Sequence, residues 1–368
     1  MTAIATPRRR TSLTRNRLPR IAPWASLVVG LVVGAAVSTL IGFNFFGWGV
    51  FAAIAFTIVY ISWSAAVEGG RKARDKFATC LVIGSFIIVV LPLFSVIWTV
   101  LEGGIKGLLT PGFLGTSMNG VSGIQDNQSV NTGSRVVGGI YHALIGTLLI
   151  TLWSTIISVP VGLLTSIYLV EYSRGGRLGQ AITLFVDVMT GIPSIVAGLF
   201  AAALFATIFG PGTQTGFVAA VALTVLMIPV VVRSSEEMLR IVPNELREAA
   251  YALGVRKWRT ILKVVVPTAI SGIASGVTLA IARVIGETAP ILLTAGFATK
   301  INFNVFSNWM ASLPTYIYFQ ILNPTSPSNP DPSLQRAWGA ALVLIIFVMI
   351  LNLIARLVAR IFAPKTGR

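Results

Sequence analysis

Apolar residues fill this chain in runs of about twenty, separated by short polar segments. Runs of that length fit the hydrocarbon core of a bilayer better than the amphipathic helices of a soluble domain. They predict eight membrane spans, at residues 24–43, 46–67, 77–101, 138–170, 180–209, 217–232, 264–295 and 337–362. The first two make a tight hairpin around Asn44. The fourth is longer than needed and is expected to break near Pro160. The fifth is interrupted at Gly191 and Pro193, where a proline removes a helical hydrogen bond. Among the polar connections, 68–76 reads as a charged loop. Residues 102–137 form a Gly-, Asn- and Ser-rich loop, and 297–335 a Pro- and Asn-rich one.

Composition agrees with a polytopic, all-α membrane protein. The chain is 55% hydrophobic and only 11% charged. Its formal net charge of +16 would suit nucleic acid or an anionic surface, but the basic residues sit in short loops between spans, which argues against nucleic acid. Twenty-three Lys and Arg fall in one alternating set of loops. Four, Lys106, Arg135, Lys300 and Arg336, fall in the other. By the positive-inside rule, both termini and the segment 241–267 are expected in the cytoplasm. Residues 1–23 carry six arginines and no acid, and read as a cytoplasmic tail touching anionic membrane lipid. The apolar run behind them is long and lacks a small-residue cleavage site, so it reads as a retained anchor rather than a signal peptide. One cysteine, Cys80, excludes an intrachain disulfide, and one histidine, His142, leaves no His/Cys metal cluster.

The segment Ile241–Pro267 is the longest strongly charged run between spans. It reads as a helix, a break and a second helix. Pro243 suits a first helical turn, and Glu245 and Glu248 favour its positive end. Leu246, Ala249, Ala250 and Leu253 share one narrow face, and Gly254 is a candidate for the left-handed residue that ends the helix. On periodicity alone, a partner-docking helix and a solvated loop helix remain equal readings. Glu248-Ala249-Ala250, Gly254, and then Val264, Val266 and Pro267 resemble the EAA loop of ABC importer permeases, with valine in place of the usual Ile and Leu. The resemblance implies a cytoplasmic loop whose first helix docks on a separate ATPase subunit.

Three charges fall within spans, where charge is costly and usually faces a cavity or another charge. They are Asp187, Arg283 and Glu287. Arg283 and Glu287 stand at i, i+4 on one predicted helix face, where they either pair to fix helix packing or form a polar site on a transport path. A guanidinium offers forked donors that match a tetrahedral oxyanion. Gly286 and Pro290 weaken the helix there. Gly272 and Gly276 read as packing positions. Asp187 sits about two turns into its span, where an ordinary charge near water and a place on the polar path are equal readings.

Ala282-Arg283 followed by Gly286-Glu287-Thr288-Ala289-Pro290 resembles the signature of phosphate-specific ABC importer permeases of the PstA type. Thr190 to Phe200, with Pro193, is similar to a stretch shared by PstA and PstC permeases. What this resemblance implies is a type I ABC importer permease fold of six core spans at 68–368, with the hairpin 24–67 added. It implies a PstC-like permease partner, a PstB-like ATPase dimer carrying ATP and Mg, and an extracytoplasmic phosphate-binding protein in a bacterial plasma membrane. Arg283 and Glu287 then belong to the path of inorganic phosphate, with Thr288 beside them and Asp187, a charge within a span, as further candidates, and Pro193 and Pro290 belong to helix breaks. This chain itself holds no cofactor and no Gly-x4-Gly-Lys-Ser/Thr phosphate loop. The competing readings are a permease for another anion and an ion-coupled secondary transporter, which would have no ATPase to dock.

Overall fold

A computed structural model describes residues 18–173 and 175–362. The tail through residue 17, Arg174, Lys365 and Arg368 lie outside them. The helices are α1 (Ala22–Ile41), α2 (Phe45–Glu68), α3 (Gly70–Leu108), α4 (Gly123–Thr132), α5 (Tyr141–Ile167), α6 (Arg177–Thr190), α7 (Ser194–Phe209), α8 (Gly216–Ile241), α9 (Asn244–Ala252), α10 (Lys257–Thr260), α11 (Val266–Ile285), α12 (Ala289–Thr294), α13 (Leu313–Leu322) and α14 (Asp331–Phe362). Two π-helical turns, Tyr168–Tyr172 and Ile261–Val265, extend α5 and precede α11. No strand occurs among the described residues. Among the described residues seven helices are long and apolar enough to cross a membrane, and the bent pair α6–α7 makes an eighth span if its halves are taken together. The eight expected spans are therefore all helical. Contacts divide the chain into two compact units, 1–97 and 98–368.

In the first unit α1 lays Ala22, Ser26, Gly30, Gly34 and Ser38, one residue per turn, against α2. The approach is close, since a methyl added to Gly34 would sit 2.5 Å from the Ala52 backbone nitrogen. Small residues allow such contact where hydrophobicity cannot drive two helices together in lipid. At the hairpin tip the Asn44 side chain accepts from the Phe46 amide at 3.0 Å and caps α2. Residues 70–76 are not the expected loop. Gly69, at φ +91°, ends α2, and the chain starts α3 at once. After Gly70 the segment Arg71–Lys76 is mostly Arg, Lys and Ala, strong helix formers. Glu68 draws the junction together, accepting from Ser64 at 3.0 Å and pairing with Lys76.

The second unit is built on α5, α8 and α11, with α7 and α12 closing over them. Its main core includes Ile150, Leu223, Met227, Val231, Val284 and Ile291. The expected break at Pro160 is absent: α5 runs through it unbroken. The proline's lost hydrogen bond costs less than exposing further backbone groups where no water can satisfy them. Gly272 and Gly276 face α8 as packing positions; a methyl on either would meet the Met238 sulfur at 2.2 Å or the Ser234 hydroxyl at 2.4 Å. The expected sixth span ends too early. α8 continues to Ile241, so Arg233, Glu236 and Arg240 lie on the helix rather than in a loop. The long polar connections also hold helices, α4 in the first and α13 in the second.

One ion pair ties those two connections together. Arg336, expected in a loop, is the second turn of α14 and is 1% exposed, as is Asp126 of α4. The guanidinium grips both Asp126 oxygens, at 2.9 and 2.6 Å. It also donates to the Val137 carbonyl, Gln320, Thr325 and Ser333. Removing one partner of such a pair strands the other charge, at a cost of about 3–5 kcal/mol. Asp126→Ala should therefore lower the thermal stability of the purified protein markedly. The double change Asp126→Leu with Arg336→Met should recover most of it, because neither charge then remains to be desolvated.

Candidate functional site

The segment between α8 and α11 carries the clearest local design. Pro243 stands at the N-cap of α9 rather than in its first turn, and α9 ends at Ala252. Gly254 adopts φ +74°, the left-handed conformation its sequence position called for. Its amide bonds the Tyr251 carbonyl at 2.9 Å, and the Val255 amide bonds the Ala250 carbonyl at 3.1 Å. Those two bonds are the Schellman closure of a helix. A side chain other than glycine would strain this backbone.

The face expected on α9 divides. Ala250 is buried, while Leu246, Glu248 and Ala249 are exposed and Leu253 is 84% exposed. α9 packs on the π turn 261–265, and the short Ala250 side chain permits that approach. Tyr251, Trp258 and Leu262, from the same segment, are exposed as well.

What holds α9 in place was not apparent from the sequence. Arg247 reaches across to Glu171 in the π turn that ends α5, at 3.0 Å from Nε and 2.8 Å from Nη2. The same guanidinium donates to the Val242 carbonyl at 2.6 Å and the Leu239 carbonyl at 3.0 Å, the last turn of α8. Glu171 is 5% exposed and Arg247 12%. Lys257 of α10 donates to the Glu171 backbone carbonyl and lies over the Tyr172 ring, 4.6 Å from its centre. Arg247 thus ties α9 to the Glu171 carboxylate and to the end of α8, while Lys257 ties α10 to the Glu171 backbone.

The other expected site is a pair of broken spans. α6 and α7 meet at an angle of 107°, with Gly191 and Pro193 at the corner and Pro193 capping α7. α11 stops at Ile285, and Gly286, Glu287 and Thr288 separate it from α12, where Pro290 falls in the first turn. The two breaks adjoin, since a methyl on Gly198, one turn into α7, would lie 2.7 Å from the Pro290 Cα.

Arg283 and Glu287, for which pairing was one of two readings, do not form an i, i+4 pair. The spacing places two residues on one face only inside a continuous helix, and α11 ends before Glu287. Arg283 is exposed on the last turn of α11 and has no hydrogen-bond or ionic partner among the described residues. Glu287 and Thr288 are half-exposed in the break.

Asp187 is not isolated either. It pairs with Arg233 of α8, which also bonds Glu236 at 2.9 Å, and Glu236 bonds Arg240 at 2.7 Å. Arg233 was missed because the sixth span was ended one residue short of it. Where α8 crosses α11, Ser234 faces Gly276. Arg283 is seven residues further along α11, about 10 Å at 1.5 Å per residue. The Asp187–Arg233 pair thus lies on the α9 side of Arg283, and the structure does not join Asp187 to Arg283 and Glu287. No group of three or more His, Cys, Asp or Glu suited to a metal occurs among the described residues.

Residues 158–368 match the family described as binding-protein-dependent transport system inner membrane component. The chain is 44% identical over 298 residues to phosphate transport system permease protein PstA 1 of Mycobacterium tuberculosis, covering 81% of this chain and 91% of that protein. It is 33% identical over 298 residues to PstA of Yersinia pestis, covering 81% and 93%. A chain of the MetNI methionine ABC transporter, solved in an inward-facing conformation, aligns at 21% identity and a TM-score of 0.47 over 61% of this chain and 95% of its own.

Proposed function

The chain belongs to the family of binding-protein-dependent transport system inner membrane components, and from that premise we propose how it serves phosphate import. It is the PstA-type permease subunit of an ABC phosphate importer, a multi-pass membrane protein and a transport subunit rather than an enzyme. The observation that carries this reading is the 44% identity to a phosphate permease over nine-tenths of that protein's length. Partners follow in outline: a second permease, an ATPase and a substrate-binding protein. In finer terms we assign a PstC-like permease, a PstB-like ATPase dimer that holds ATP and Mg, and a phosphate-binding protein outside. Both termini and α9 face the cytoplasm on this reading, in keeping with the twenty-three basic residues on that side.

The exposed apolar surface around Leu253 is the docking face for the ATPase. Its closure by Gly254 and its place between two spans support that role, and a secondary transporter has no use for it. Arg283 and Glu287, with Thr288, line the phosphate path at the junction of the broken spans. An unpaired guanidinium in a membrane protein calls for a ligand or a water-filled cavity. Its fork suits a phosphate oxygen pair. Asp187 belongs to the same path nearer α9, where Arg233 neutralises it. The hairpin 24–67 is an addition to a permease domain at 68–368.

Three measurements test these roles in the assembled transporter. Leu253→Asp should reduce ATPase co-purification severalfold, and full retention would count against the docking face. Arg283→Leu combined with Glu287→Leu should leave assembly near wild type but lower radiolabelled phosphate uptake more than tenfold, with Arg283→Lys intermediate because it keeps the charge and loses the fork. Full uptake by the assembled double variant overturns the path assignment, and uptake blocked by excess sulfate rather than phosphate points to another anion. A chain starting near Glu68 should still support uptake once normalised for assembled complex; a loss would make the hairpin part of the machinery.

A further inference from the structure

We infer that Glu171 is the positioning residue that couples α9 to the membrane domain, delivering movement of α9 into α5 through Arg247 and Lys257. The inference rests on the reading of α9 as the ATPase-docking helix. It starts from what α9 lacks. On one side Val242 and Pro243 interrupt the helical ladder from α8. On the other, Gly254 turns the chain back before α10. No continuous backbone ladder therefore carries a push along α9 into either span.

Beyond α10 the π turn at Ile261–Val265 widens the ladder before α11 begins. α5 ends in a second π turn, where the Ser173 amide reaches back five residues to the Tyr168 carbonyl at 2.9 Å. Such turns are local departures from α register and recur at functional sites. Glu171 lies inside that second turn. Its carboxylate takes two donors from Arg247, and its own backbone carbonyl takes Lys257.

The bond pattern says where α9 is held. Arg247 is fixed at once to α5 and to the last turn of α8, so α9 moves with that pair. α5 packs along α8 more extensively than any other pair in this unit. At its far end Thr147 accepts the Leu313 amide of α13 at 2.8 Å, so α5 connects α9 to the opposite end of this unit. A carboxylate that is 5% exposed and bonded to a guanidinium keeps this geometry only while both charges remain. Forked bonding fixes direction as well as distance, which a lone ammonium does not.

The test uses the complete transporter in membrane vesicles, scored for assembled complex, ATPase co-purification, and ATP hydrolysed per phosphate taken up. Glu171→Gln keeps the shape and removes the charge; Arg247→Lys keeps the charge and removes the fork. Both should retain the ATPase while ATP hydrolysed per phosphate rises at least about fivefold. A destabilised fold lowers the amount of complex and leaves that ratio alone. An unchanged ratio in assembled Glu171→Gln overturns the inference, and so does failure of both variants to assemble, which would make the clamp purely structural. Leu253→Asp separates the underlying reading: if the ATPase stays bound to that variant, the docking assignment fails, whatever Glu171 does.

Discussion

Inside a bilayer a backbone amide or carbonyl has no water to bond, so the helix ladder can be interrupted only where the chain satisfies itself. That constraint explains which prolines break this protein. Pro92, Pro160 and Pro229 stand inside α3, α5 and α8 without ending them. Each forfeits a single hydrogen bond and the helix continues. Pro193 and Pro290 differ in having a glycine two or four residues earlier, at Gly191 and Gly286. A proline ring presses on the carbonyl four residues back. In the second case that carbonyl belongs to Gly286 itself, the residue least able to hold a helix. The freed groups are gathered in short turns: the Gly191 amide bonds the Val188 carbonyl at 3.0 Å and the Glu287 amide bonds the Val284 carbonyl at 3.2 Å. The two breaks then pack on one another at Gly198 and Pro290.

The same reasoning separates the charges. Arg336 and Asp126 are buried in protein, and every guanidinium nitrogen of Arg336 has an acceptor, so that pair orders two long connections and nothing more is required of it. Arg233 shares its charge between Asp187 and Glu236. Arg283 has the same chemistry and no such partner among the described residues. A charge left open on a broken helix is stable only if something outside this chain, water in a cavity or an anion, completes it.

How much of this was legible in the sequence depended on whether the physical signal was local. The existence of the spans, the break at Gly191–Pro193 and the glycine closure at Gly254 are written within one or two turns, and each was found, although several helix ends fell elsewhere. The EAA-like spacing and the Gly-Glu-Thr-Ala-Pro run are equally local. The ion pairs are not. Arg247 finds Glu171 across 76 positions, Arg233 finds Asp187 across 46, and Arg336 finds Asp126 across 210. Nothing near any of these residues specifies its partner. Only the register of α8 against α5 and α6, and of α14 against α4, does so. The pairing of Arg283 with Glu287, one of two readings of their local spacing, is absent because that spacing presumed a helix which the glycine and proline had already ended. Residues 70–76 misled for the opposite reason: charge suggested a loop, while helix propensity carried the chain straight into α3.

Register also sets the order of events along the unit. α8 and α11 run past each other, with Gly272 against Met238 and Gly276 against Ser234, so close that neither helix can slide without forcing a sulfur or a hydroxyl into backbone. Interfaces that tight are bistable rather than continuously deformable, and movement passes along them as a rigid body. α9 sits at one end of this pair, Asp187–Arg233 lies part of the way along it, and Arg283 follows about 10 Å further on, just before α11 stops. If α9 is the docking helix as proposed, a contact this close favours moving α8 and α11 together and leaves any bending to the places where the ladder is already interrupted. Those places are the 107° corner at Gly191–Pro193 and the gap at Gly286–Thr288. The residues proposed to meet phosphate stand at such an interruption, between α11 and α12, beyond the close contact of α8 with α11.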